Sequence, residues 1–319
     1  MNASYDNSAA VAVLPAVSGG RLQDRSLRSW LARSDLSVEV GKQELLERIV
    51  GVLGLPYPEE GLAALRMWGQ TGDRPTVWIA GADPVYLEPR LDHLRLHALS
   101  RAAVPPADLR ALFNHLQATL SDDQRFGFAR LGVCGYLRST LPIATAAVPA
   151  YVVDQEVPTE FQPHGDDSAN YRNLLGEIEM SLHDHEANQR RIAAGQQPVN
   201  GLWIWGGGMA PARSTRAQPR LFSDDPLLLG YWESANAGAE GWPGSIAECV
   251  QAADAGFVAV TPEDQDDPAF LEDCLRQLRA ALHGKRVGRV IVLFRDGRRA
   301  MVRRSHRLRF WRLDSKLLD

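Results

Sequence analysis

At 319 residues, with 45% apolar and 23% charged residues, the chain has the composition of one large or two medium globular domains. A net charge of −4 argues against nucleic-acid binding by the chain as a whole, and no apolar run reaches the ~18 residues of a membrane span. Cys134, Cys249 and Cys274 are odd in number and lack C-x-x-C spacing, which excludes a disulfide framework or zinc site and points to free thiols in a reducing compartment. No basic residue precedes the short apolar patch Ala9–Val17, so a secretory signal is not expected and the expected location is cytoplasmic.

In chain order, Val11–Leu14 predicts a short buried strand, ended by Pro15 and by Ser18-Gly19-Gly20. Leu27, Trp30 and Leu31 mark one helix face, Leu45 to Leu53 a second, and Leu62–Trp68 a third. Val77–Ala80 and Val85–Leu87 predict strands around a turn at Gly81–Pro84. This opening alternation favours a sheet covered by helices. From Leu94 the character changes. Pro105-Pro106 opens a helix carrying Leu109, Leu112, Phe113 and Leu116, with proline where a first turn tolerates it. Phe126–Tyr136 is strand-like, and Val148–Val153 is the one strand candidate of a loop-rich passage.

The most regular segment follows. Leu174, Leu175, Ile178 and Leu182 lie at helical spacing, in a helix running from Tyr171 to about Gly195. Val199–Trp205 then predicts a strand breaking into a bare glycine loop, Gly206–Gly208. Beyond it, Pro211–Arg220 is expected to be structureless and Asp224–Gly230 mixed. Ser245–Ala253 and Asp267–Leu282 are helical, Phe257–Thr261 and Val290–Phe294 are buried strands, and Ala300–Val302 and Leu308–Trp311 are final edge strands. The βα alternation thus resumes in the last third.

Chemistry is harder to find. A glycine run at a strand end serves either a close-approaching ligand, such as a small anion, or tight packing, here under Trp203 and Trp205. It is neither a spaced dinucleotide fingerprint nor a Walker loop. His183 and His185 are two apart and share no helix face, so they are not a helical zinc pair. Glu263–Asp267 reads as an acidic helix N-terminus, which the macrodipole favours. No serine sits in a G-x-S-x-G elbow. Lys285 to Lys316 holds twelve Lys/Arg against two Asp, with Phe310 and Trp311 interleaved. That segment is either a binding surface for nucleic acid or an acidic protein, or a solvated edge hairpin.

The run LLGEIEMSLHDHEANQRR…PVNGLWIWGGG, with the A-D-P-V element Ala82–Val85, resembles the bacterial RpfE-type regulatory family, whose members are often named phosphoglycerate mutase-like. It is also similar to the archaeal-type cofactor-independent phosphoglycerate mutases, whose H-P-x-N-x-x-R and P-A-N-x-x-W-x-W-G-x-G elements correspond here to His185–Arg191 and Pro198–Gly208. That resemblance implies an α/β fold: an alkaline phosphatase-like core sheet flanked by helices, with an inserted α+β subdomain. The implied division is residues 1–87 and 196–319 for the core and 88–195 for the insertion with its central helix.

In the mutases a serine takes the phosphoryl group between two divalent metals held by Asp and His. Residue by residue, those elements are missing here. The first strand runs into Pro15-Ala16-Val17 where an Asp is required, and Val50–Pro58 offers no Ser or Thr. Thr261–Pro268 keeps only Asp264 and has Pro268 in place of His; Phe294–Gly297 again lacks His. The leading expectation is therefore a protein without metal, cofactor or catalytic residues, with a regulatory role; the alternative is a residual mutase or phosphohydrolase using an altered site. Its expected partners are a small anionic molecule or another protein, and not a membrane. The candidate ligand residues are His185, Asn188, Arg191, Asn200, Trp203, Trp205, Gly206, Gly207 and Gly208: arginine for bidentate contacts, glycine N–H groups for an anion-binding concavity. The alternative use of the polar ones is internal, tying the helix to the strand.

Overall fold

Val11–Leu14, Phe257–Val260 and Val290–Phe294 are short runs of apolar residues without a polar face, and all are buried. That is the pattern of parallel strands covered by helices on both sides. The computed structural model describes residues 8–39, 41–99, 103–122, 125–165, 168–312 and 314–318. The chain opens with β1 (Ala9–Leu14), α1 (Arg25–Ala32), β2 (Asp35–Val38) and α2 (Leu45–Leu53). Next come α3 (Leu62–Thr71), β3 (Trp78–Pro89), β4 (Leu94–Ala98), α4 (Pro106–Thr119), β5 (Phe126–Leu131) and β6 (Cys134–Ser139). After these lie α5 (Ser168–His183), α6 (Glu186–Ala193) and β7 (Gly201–Gly208). The last stretch holds β8 (Arg220–Phe222), α7 (Pro226–Ser234), β9 (Ala239–Glu240), α8 (Ile246–Ala252), β10 (Phe257–Val260), α9 (Pro268–His283), β11 (Arg289–Phe294) and β12 (Arg298–Arg303).

Residues up to Tyr57, with those from Arg213 onward, form one compact unit, and Pro58–Ala212 the other. The division falls at 57/58 and 212/213, where the sequence placed it at 87/88 and 195/196. The reason is that β3 and β7 pair with each other along Ile79–Val85, and so belong to one sheet inside the second unit.

In the first unit the strands run β2-β12-β11-β1-β10-β8-β9 among the described residues. β1 pairs in parallel with β10 on one side and β11 on the other, and β10 with β8. β12 and β2 close one edge antiparallel. The core gathers Leu14, Trp30, Phe222, Leu275 and Phe294 around this sheet. The stretch Pro211–Arg220, expected to be structureless, runs into β8, and Asp224–Gly230, expected to be mixed, opens α7. A helix forms because Asp225 accepts from the N–H groups of Leu227 and Leu228, and Pro226 sits at its first position. The predicted edge strand Leu308–Trp311 is not a strand; β2 takes the edge beside β12 instead.

In the second unit β3 is a single strand of 12 residues, without the expected turn at Gly81–Pro84. Gly81 is needed because a Cβ there would lie 2.4 Å from the Trp205 indole nitrogen. Phe126–Tyr136 is a hairpin, β5 and β6, turning at Gly132 with φ +58°. Val148–Val153 is a series of turns. The predicted single helix Tyr171–Gly195 is two, broken at Asp184-His185. A second core packs α4, α5 and β7, with Phe113, Tyr171, Ile178 and Ile204 at its centre.

Candidate functional site

The conspicuous motif lies wholly in the second unit, and its polar groups turn inward. His185 caps α6, its Nδ1 accepting from the Ala187 N–H at 3.1 Å, while its ring lies 4.9 Å from that of His115. Burial first, then the neighbouring His115 and Arg190, hold its pKa below the ordinary imidazole value. Asn188 is 1% exposed. Its amide nitrogen donates to the carbonyls of Leu182 and Val199, both at 2.8 Å, and its oxygen accepts from the Val199 N–H at 2.9 Å. Asn200 repeats the device on β3, accepting from the Leu87 N–H at 2.7 Å and donating to the Leu87 carbonyl at 2.9 Å. Each asparagine thereby mimics a neighbouring strand's amide, which is how a buried backbone group is satisfied where no strand can reach.

Arg191 is also buried. Nε donates to the Gln197 carbonyl at 3.0 Å and Nη2 to that of Ala103 at 2.8 Å, while Nη1 lies 3.8 Å from Asp108 without a hydrogen bond. The Trp203 indole donates to the Val148 carbonyl at 2.8 Å. Trp205 lies under the Arg66 guanidinium, 5.0 Å from the ring centroid, and its indole N–H has no partner.

Gly206–Gly208 is the end of β7 and not a loop. The Gly206 N–H donates to the Ala146 carbonyl at 2.8 Å and the Gly207 N–H to Thr145 Oγ1 at 3.0 Å. A Cβ on Gly207 would lie 2.4 Å from the Trp78 ring, and one on Gly208 2.4 Å from the Gly61 nitrogen. The glycines let the chain approach itself.

Beside this lies a network that the sequence reading missed. Arg66, on α3, bonds Asp83 and the Gly135 carbonyl, both at 2.7 Å, with its guanidinium 4.7 Å from the Tyr136 centroid. Burial opposes its charge, but Asp83, together with Tyr136 and Cys134, outweighs that and holds its pKa above the ordinary value. The available signal was a charged Asp83 within an apolar run.

In open α/β sheets the reactive position is the carboxyl edge of the strands, and here that edge belongs to β1, β10 and β11 in the first unit. Asp296, just past β11, accepts through Oδ2 from the N–H groups of Val17 and Ser18 at 3.0 and 2.9 Å, beyond β1. Its Oδ1 accepts from the Arg298 N–H at 3.2 Å, and the Arg298 guanidinium adds a contact at 3.1 Å. Burial would raise its pKa, but the N–H groups of Ser18, Arg298 and Val17 prevail and hold it below the usual carboxylate range. Arg295 reaches the Thr261 carbonyl at 2.6 Å, and Thr261 Oγ1 donates back to the Val13 carbonyl at 3.0 Å. Asp264 is exposed, and Asp266 is paired with Arg21.

The pair of divalent metals implied by the resemblance does not fit this edge. Each ion needs several converging anionic ligands. Asp296 already has N–H donors and a guanidinium on its oxygens, and the Arg295 guanidinium lies at the same edge, on the Thr261 carbonyl. Among the described residues no three His, Cys, Asp or Glu side chains are grouped as a metal site would require.

No family model matches the chain. Over 123 residues it is 25% identical to the 2,3-bisphosphoglycerate-independent phosphoglycerate mutase of Methanosarcina barkeri, covering 38% of this chain and 31% of that one. A probable mutase of the same description from Geobacter sulfurreducens is 25% identical over 137 residues, covering 40% and 32%. These matches span about a third of the length of the curated relatives. Among solved structures, the PH0037 protein of Pyrococcus horikoshii superposes with a TM-score of 0.50 at 11% identity, over 93% of this chain and 87% of that one. The cofactor-independent phosphoglycerate mutase of Thermoplasma acidophilum aligns with a TM-score of 0.43 at 16% identity, over 92% and 89%. The chain is thus distantly similar to cofactor-independent phosphoglycerate mutases, and its mixed α/β architecture of helix-covered sheets agrees with the one expected from sequence.

Proposed function

We propose that the chain is a non-catalytic cytoplasmic regulatory protein of RpfE type on a mutase-like scaffold, one that binds a small anion or a protein partner without turning over a phosphate ester. The carboxyl edge of the first sheet carries this reading: Asp296 accepts from the N–H groups of Val17, Ser18 and Arg298, and the Arg295 guanidinium occupies the Thr261 carbonyl at the same edge. In this reading His185, Asn188, Arg191 and Asn200 are braces, and the Gly206–Gly208 backbone gives the close packing of β7. Among the described residues no helix is long and apolar enough to cross a membrane.

The test is turnover of 3-phosphoglycerate, and of a generic phosphate ester, by purified protein with Mn²⁺ or Mg²⁺. Rates at the uncatalysed background are expected. The similarity to mutases favours a second reading, a residual mutase or phosphohydrolase. Metal-dependent turnover that disappears with chelator would establish that reading and end the first.

A further inference from the structure

In the first unit a cleft of about 210 Å³ opens between one face of α1, the last turn of α9, the end of β12 and the turn after it. Arg33, Arg279, Arg303, Arg304 and Arg307 line it, and no Asp or Glu does. His283 stands at its rim, and His306 is buried in its wall. Several other arginines of this unit meet carboxylates, Arg48 with Glu39, Arg295 with Glu263, Arg298 with Asp296 and Arg309 with Asp35, while Arg286 and Arg312 bond backbone carbonyls. Around the cleft that pattern stops. Among the described residues the Arg279 guanidinium bonds the Ser26 hydroxyl, at 2.7 Å, and the Arg303 guanidinium contacts the Met301 sulfur, at 3.8 Å, with Asp35 close enough to feel its charge but making no ion pair with it. The buried Arg33 Nε has no partner, and Arg304 and Arg307 make no ion pair among the described residues. Asp35 approaches His306 at 3.6 Å but is held by Arg309 at 2.6 Å.

Cations at helix carboxyl ends complement the helix dipole, which accounts for Arg33, Arg279 and His283. It does not account for Arg303, Arg304 and Arg307, which come from a strand and a turn. Guanidinium groups lining one cleft, with no carboxylate in that lining and Asp35 the nearby counter-charge, repel one another, and a bound anion relieves that repulsion. Their planar forks match phosphoryl oxygens bidentately, and the apolar wall formed by Trp30, Leu282 and Val302 strengthens such contacts by lowering the local dielectric. The volume is below the roughly 300–1,000 Å³ of drug-sized ligand pockets, which selects a compact anion over a whole nucleotide.

We propose that this cleft binds a small molecule through a diphosphate group. The proposal goes beyond the non-catalytic reading and is independent of it, since turnover and binding are measured separately. The test is calorimetric titration of the full chain with inorganic pyrophosphate at low salt. One-to-one binding is expected, and the exposed double variant Arg304→Glu/Arg307→Glu should weaken it by about tenfold or more. The control Arg110→Glu/Arg172→Glu removes the same charge from exposed positions in the second unit and should leave affinity within about twofold. Arg304→Gln/Arg307→Gln, a gentler change, should weaken binding in the same direction with an unchanged near-UV spectrum. Absence of binding to wild type would overturn the proposal, as would equal weakening by both charge-reversed doubles. So would tight binding of a single-stranded oligonucleotide that pyrophosphate fails to displace.

Discussion

Replacing Asn188 by alanine separates bracing from ligand binding. In the native protein its amide satisfies the N–H and carbonyl of Val199 and adds a bond to the Leu182 carbonyl, at a position 1% exposed. The Leu182 carbonyl also accepts from the His185 N–H at 3.2 Å, so truncation leaves two orphans, both on Val199. At about 1–3 kcal/mol for each buried unsatisfied group, the expected loss is about 2–6 kcal/mol. That is a large part of the roughly 5–15 kcal/mol stability of a typical domain. Asn188→Asp keeps the bond from the Val199 N–H but sets a carboxylate against two carbonyls, and should destabilise at least as much. Urea unfolding followed by tryptophan fluorescence measures both. A loss below about 1 kcal/mol with native spectra would refute the bracing account, since no buried donor or acceptor could then depend on this side chain.

Gly207→Ala places a methyl group 2.4 Å from the Trp78 ring and should cost about 1–3 kcal/mol in the same unfolding experiment. Gly51→Ala, on an exposed turn of α2 with nothing within 4 Å, should instead stabilise by about 0.5–1 kcal/mol. Asp296 has a folded-state pKa below its unfolded value, so its contribution is complete above about pH 4 and is lost as pH falls through the folded value. Asp296→Asn should therefore lower stability at neutral pH and flatten the acid limb of a stability–pH profile. Burial pushes the Cys249 and Cys274 thiols up to about 12, so neither should react with Ellman's reagent at pH 8 until the protein unfolds.

Periodicity located the elements that bury one consistent face. β1, β10 and β11 are uninterrupted apolar runs, and α2 and α9 carry regular stripes, so local pattern and tertiary environment agree. It failed where a distant partner decides the structure. β8 is only three residues long and exists because β10 lies beside it. Gly81 and Pro84 looked like a turn, but β7 pairs along that stretch and the Trp205 indole occupies the space a side chain would need. The helix α7 was legible in principle through Asp225-Pro226 ahead of an apolar run, which is a helix start. The motif's polar residues were equally visible, but their direction was not. Asn200 answers to Leu87, Arg191 to Ala103 and Trp203 to Val148, partners 113, 88 and 55 positions away that no local spacing specifies. The pair Arg66–Asp83 escaped for the same reason.

The placement of the motif bears on how far a resemblance carries activity. Its asparagines complete backbone hydrogen bonding and its glycines permit close packing, tasks that any protein with this second unit must perform whatever chemistry it carries out. The carboxyl edge where the mutase-type metals would have to be held is built from β1, β10 and β11, in the first unit. The two requirements fall on different residues in different compact units, so selection can relax one and keep the other. A chain can therefore keep most of the motif from His185 to Gly208 while β1 runs into Pro15 and β11 into Arg295. Similarity concentrated in such braces is a statement about architecture. A claim of catalysis has to be argued from the sheet edge, where the Asp296 carboxylate accepts from the chain's own amides.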